Sequence, residues 1–268
     1  MRSLKKYLVF FSLNWQGLLT YRFDTTIYAL TSLVTPFLGL WVWLAVQKGN
    51  PSLSYNREEI IFYFLAVAIC SSFTTAWAAY FINDDIKKGN FSKFLIKPYT
   101  VLEQSMMNNI VEKVFKLSVI GTALITIGLV FTLTDQFSLP IYMEYLPLSL
   151  LALVAALLMI NFLDVSMGLA GFWMDDIDFL TGTFFTADAL LSGKVVPVTF
   201  LPNFLQQIGF FLPFRYTVSF PIELMLGKLT TGEIISGFFV LFFWTVFFWN
   251  LQKFLYKKGA IRYSSYGG

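Results

Sequence analysis

The stretch YLPLSLLALVAALLMINFL, Tyr145–Leu163, runs nineteen residues without one charged side chain. A hydrocarbon core of roughly 30 Å is crossed by about 20 helical residues, and inside it the backbone must satisfy its own hydrogen bonds, which selects helices. Four more such stretches flank it: Thr25–Gln47, Ile60–Asn83, Leu117–Thr134 and Ile234–Gln252, so that the five run 18 to 24 residues. The sequence therefore specifies an integral, all-α membrane protein. Most soluble-enzyme readings fall away before any motif is weighed.

Composition agrees. The 268 residues are 57% hydrophobic and only 13% charged, where a soluble domain carries about 25% charged residues. Phe occurs 31 times, as a surface facing lipid permits. Cys70, the single cysteine, excludes a disulfide framework, and the absence of histidine excludes His triads, His metal ligands and His proton relays.

Residues 1–23 do not read as a secretory signal, because Ser12, Asn14 and Gln16 interrupt the apolar run. At helical spacing Leu4, Leu8, Phe11, Trp15 and Leu18 share a face, which predicts an amphipathic helix in the headgroup plane. With that helix cytoplasmic and six spans, fourteen of the nineteen Lys and Arg fall inside, and Lys48, Arg57, Lys194, Arg215 and Lys228 remain outside. Such a bias sets the orientation, with both termini cytoplasmic.

Five spans are odd, so a further crossing is expected between Asp164 and Glu233. Val195–Phe214 lacks charge but holds Pro197, Pro202 and Pro213. Each interior proline costs about 3 kcal/mol in a helix. The fifth span is therefore placed at Asp178–Ser192, stopped by Gly193. Residues 195–225, which also contain Arg215 and Pro221, are expected to form an extracytoplasmic re-entrant hairpin of two short helices.

Residues 84–113 form the longest internal polar region. Gly89-Asn90 marks a turn, Phe91, Phe94 and Leu95 follow at helical spacing, and Pro98 ends the segment. Composition alone also fits a basic loop held to anionic lipid.

Ile86-Lys87-Lys88-Gly89-Asn90-Phe91…Phe94-Leu95-Ile96-Lys97-Pro98 resembles the coupling segment of type-2 ABC (ATP-binding cassette) exporter permeases. Phe91 and Phe94 stand where smaller aliphatics are common. Leu191-Ser192-Gly193…Pro197…Leu201-Pro202…Leu212-Pro213-Phe214-Arg215-Tyr216…Phe220-Pro221 resembles the segment after the fifth helix of those permeases, and its end looks like the subgroup near antibiotic-transport permeases. The resemblance covers the whole chain as one transmembrane domain. It implies half of an exporter in a prokaryotic cell membrane, pairing with an identical or sister half and with two copies of a cytosolic ATPase. ATP and Mg would then be bound by that partner, with no cofactor, metal or nucleic acid on this chain. No Gly-x-x-x-x-Gly-Lys-Ser/Thr motif occurs here. The resemblance makes Lys87, Lys88, Gly89, Phe91, Phe94, Leu95, Lys97 and Pro98 the coupling site, with Phe91, Phe94 and Leu95 inserted into the ATPase. The substrate would be hydrophobic or amphiphilic. A membrane-embedded lipid-modifying enzyme, or a secondary transporter, is the alternative. Neither a catalytic constellation nor an internal repeat marks the sequence for these.

Pathway candidates are Ser71, Ser72 and Thr75 in the second span, Asp188 in the fifth, and Pro197, Pro202, Pro213, Arg215 and Pro221 in the hairpin. Ser and Thr in such spans also bond the preceding turn. Ionisable groups at membrane depth face a partner or an aqueous path, so Asp164 and Asp188 stand out, with Asp188 either on the path or paired with Lys194. Asp175, Asp176 and Asp178 fit a cap on the fifth helix better than a metal site. The resemblance implies a path between two halves built mainly by spans two and five, and Ser71, Ser72, Thr75, Ala76, Ala78 and Ala79 permit the close helix approach that would put the second span at that contact.

Overall fold

Helix α1, Arg2–Thr20, lies against the long helix described below. The computed structural model describes residues 2–50, 53–133 and 140–263. Phe10, Phe11, Trp15 and Leu18 turn inward, whereas Leu8 is exposed. The amphipathic face is thus rotated towards Phe10 relative to the face read from the sequence.

The first apolar stretch is two helices, α2 (Arg22–Thr31) and α3 (Val34–Gly49). Pro36 explains the joint: it lacks the N–H that would bond Ser32 and its ring crowds that carbonyl. The second stretch also breaks, into α4 (Arg57–Thr74) and α5 (Ala78–Lys87). Asn56 and Glu59 cap α4 reciprocally. A short helix, α6 (Ser92–Ile96), and the 33-residue α7 (Val101–Leu133) follow. The polar region expected over residues 84–113 is therefore shorter, because α7 already begins at Val101 and Lys113 is buried in it.

Helix α8 (Leu146–Leu169) is the central post, contacting α4, α5, α7 and the last helix. Helix α9 (Asp178–Leu191) matches the expected fifth span within one residue. At 14 residues it extends only about 21 Å. Gly193 ends it with a positive φ of 91°. The proline-rich stretch folds as α10 (Asn203–Phe211) and α11 (Ser219–Met225), with 3-10 turns at Val198–Phe200 and Phe214–Thr217. The chain closes with α12 (Thr231–Arg262), capped reciprocally by Thr230 and Glu233.

Every regular element among the described residues is helical. Among the described residues, four segments are long and apolar enough to cross a membrane: residues 22–49, 57–87, 143–172 and 231–262. The chain folds so that α1 and the residue after α12 meet the segment that carries α6, at its two ends. Lys6 Nζ donates to the Pro98 carbonyl at 2.8 Å, and Tyr263 packs on Phe91 at 5.5 Å between ring centroids.

Tight helix packing corrects one expectation. Ala79 is 1% exposed and lies on α8, where a Cβ on Gly168 would come within 3.0 Å of the Ala79 backbone. Ala76 and Ala79 of the second span pack inside this subunit and are not on its surface.

Candidate functional site

The segment after α5 turns at Gly89, whose φ of 73° suits glycine. This places the residues of α6 on two faces. Phe91 is 0% exposed and Phe94 is buried beside it. Both pack with Ile82, Val165, Leu169 and Phe172 in one cluster, and the Phe91 ring stands edge-on to Phe172 at 4.9 Å. They are core residues of the permease and cannot insert into another protein. The opposite face carries Leu95, 50% exposed, and Ile96, 86% exposed. Ile96 lies in the quoted motif, but helical spacing alone does not mark it as an anchor, because it does not say which side of α6 meets α12.

The lysines around this face fall into two groups. Lys88 pairs with Asp84 at 2.9 Å, Lys93 with Asp85 at 2.6 Å, and Lys87 reaches Asp176 at 3.7 Å. Lys97 is exposed and lies over the Tyr99 ring. Asp176 accepts from the Asp178 backbone N–H at 2.7 Å, so it caps the start of α9. That bond, and then Lys87, hold its carboxyl below the ordinary value. Among the described residues no group of His, Cys, Asp and Glu could hold a metal ion.

A second centre sits at the break between α4 and α5. No proline or glycine occurs there. Ser72, Thr74 and Thr75 instead donate their hydroxyls to the carbonyls of Ala68, Cys70 and Ser71, a pattern that loosens and bends helices. The freed backbone groups are taken by charges from two other helices. Lys113 Nζ of α7 donates to the Thr75 carbonyl at 2.6 Å and to Asn109 Oδ1 at 3.0 Å. Asp164 Oδ2 of α8 accepts from the Ala79 N–H at 3.2 Å. A cation thus meets the carbonyl end of α4 and an anion the N–H end of α5, as the helix dipoles favour.

The hydroxyls of Ser72 and Thr75 are therefore engaged in their own helix, and Ser72 is buried, whereas Ser71 is half-buried and contributes only its carbonyl. Asp188 of α9 is buried too and pairs with Lys194. Asp164, Asp188, Lys194, Thr74 and Thr75 surround a small cavity of about 20 Å³. Lys113 and Lys116, which the charge bias counted as cytoplasmic, are 4% and 1% exposed. Asn109, Lys113 and Lys116 lie on one face at i, i+4 and i+7, and that spacing is the signal that could have marked them as inward.

The hairpin forms the third element. Arg215 Nη2 donates to Glu223 Oε2 at 2.5 Å, and Ser219 Oγ to Glu223 Oε1 at 2.6 Å. Ser219 N–H also donates to the Ser192 carbonyl at 2.9 Å, and Tyr63 OH to the Gly193 carbonyl at 3.0 Å. Pro197, Pro213 and Pro221 are buried, whereas Pro202 is exposed ahead of α10.

The family model described as ABC-2 family transporter protein matches residues 30–267. No curated protein matches the sequence.

Proposed function

Because the chain belongs to the ABC-2 transporter family, we propose that this membrane permease subunit of an ABC transporter works as half of an exporter. It would move an amphiphile out of the cytoplasm on ATP hydrolysed by a separate subunit. Membership in the family implies partnering with an ABC ATPase subunit. The observation that carries the reading is the two-faced α6: a rigid inner face of Phe91 and Phe94 presents Leu95 and Ile96 outward within a rim of lysines. Apolar anchors in a polar ring are the usual composition of an interface hot spot.

Ile96→Asp should therefore abolish copurification of the ATPase while the permease still elutes as a folded species. Phe91→Ala should do the reverse, lowering the permease's own stability by about 3–5 kcal/mol through a core cavity. Retention of the ATPase by the Ile96 variant, with unchanged ATP turnover, would refute the coupling face.

Six crossings fit the meeting of α1 and the residue after α12 at the segment that carries α6, with that segment in the cytoplasm by the charge bias. In a Cys70→Ser background, Lys228→Cys should react with an impermeant thiol reagent on intact cells, and Lys258→Cys only after permeabilisation. The opposite pattern would invert the topology.

A second half is part of the proposal. Its contact passes from Ala79 to α9, where Gly182, Thr183 and Thr186 are exposed and suit close helix approach. A cavity of about 720 Å³ runs between this face and Leu201 and Leu205.

A further inference from the structure

From a lateral cavity at the α6 side of the molecule, we infer, resting on the permease reading, that the transported amphiphile is a lipophilic organic cation. The cavity holds about 590 Å³ between α1, α2, α5 and α7, within the range of small-molecule sites. Its wall is aromatic: Tyr28, Trp77 and Tyr80 adjoin one another, and the Trp77 indole N–H donates to Tyr28 OH at 2.7 Å. Its charged lining is acidic only, Asp24 and Glu112, with neither Lys nor Arg among the lining residues. Aromatic faces beside carboxylates attract a weakly hydrated cation.

The protein already uses this chemistry at the same wall. Lys116 Nζ lies 4.3 Å from the centroid of Tyr28, beside Glu112 at 3.5 Å. Lys116 is 1% exposed, so the Tyr28 ring and the Glu112 carboxylate are the partners that offset its burial. The cavity also adjoins a more polar one of about 410 Å³, which shares Trp77, Phe81, Asn108 and Glu112 and reaches Lys93 and Lys97 beside α6. A cation seated at Glu112 therefore lies between the apolar groove and the coupling segment.

A membrane phospholipid is the poorer occupant. An ammonium headgroup carries a phosphate with it, and the lining side chains offer that phosphate two carboxylates and no open basic group, because the buried Lys116 is already held by Glu112 and the Tyr28 ring. A cation without an attached anion avoids the repulsion.

The test uses the full chain in a nonionic maltoside micelle, with tetraphenylphosphonium as probe. Tetraphenylborate, of the same size and shape and opposite charge, is the control. Saturable, protein-dependent binding is expected for the cation and none for the anion. Glu112→Gln should weaken cation binding about tenfold, as removal of a partly buried charge partner does. Glu112 also pairs with the buried Lys116, so that variant could misfold. Asp24→Asn, at an exposed position that makes no ion pair among the described residues, keeps the test sound and should weaken binding at least threefold. Equal binding of tetraphenylborate, or unchanged cation affinity in Asp24→Asn, would overturn the inference. So would displacement of the probe by excess phosphatidylethanolamine or phosphatidylcholine, which would assign the groove to lipid. Binding is read without ATP turnover. Its failure leaves the permease reading intact if the ATPase still copurifies through Ile96, whereas loss of that copurification from wild type would fail the permease reading alone.

Discussion

Glu223→Ala is expected to destabilise the protein by about 3–5 kcal/mol, the cost of breaking a buried ion pair from one side. Glu223 is fully buried, and both of its oxygens are used, one by Arg215 and one by Ser219. Truncation would leave the Arg215 guanidinium in the protein with its Nε already lacking a hydrogen-bond partner. The loss is a large share of a total stability of about 5–15 kcal/mol. It should appear as a lowered thermal midpoint in size-exclusion assays of detergent-solubilised protein. Removing both charges together, as Arg215→Met with Glu223→Leu, should recover part of the loss, because two uncharged groups carry no desolvation penalty. A thermal midpoint in Glu223→Ala equal to wild type would show that the pair does not hold the hairpin.

The break of residues 195–225 into short helices was legible in the sequence, and the reason is local. Prolines at 197, 202, 213 and 221 forbid a continuous helix between them. An arginine stranded in such a segment needs a carboxylate nearby, and Glu223 is eight residues on. Helix α9 was legible for the same kind of reason, with three acids at one end and Gly193 at the other. The joint at Ser32–Leu33 was missed although Pro36 announced it, since an apolar window averages across a single proline. The break at residues 75–77 carried no punctuating residue at all. It depends on Lys113 and Asp164, 38 and 89 positions away from Thr75 along the chain. Tertiary contacts decide it, and one-dimensional periodicity does not contain them. Phe91 and Phe94 failed as coupling anchors for a related reason. A short amphipathic helix shows that it has an apolar side, but the partner that covers that side, here α12 and Phe172, is set by the fold.

The break itself supplies the other large effect. Asp164→Ala should lower stability by about 1–3 kcal/mol, because it leaves the buried Ala79 N–H without its acceptor. The change should also be visible in shape. Ile69 and Phe81 are exposed on either side of the break, and spin labels there should show a broader distance distribution in Asp164→Ala than in wild type. An unchanged distribution together with an unchanged thermal midpoint would mean that Asp164 does not hold the two half-helices. The double variant Lys113→Met with Asp164→Leu then separates two roles. If the charges serve stability alone, the double variant regains the thermal midpoint and transports normally. If the break is the joint through which α5 and α6 move relative to α4, stability returns while ATP-driven transport stays low. The second outcome is expected, because α5 leads directly into α6, and Lys113 and Asp164 grip the two half-helices from separate elements. A joint held by charge rather than by proline can be released and remade at each turnover, which a covalent kink cannot.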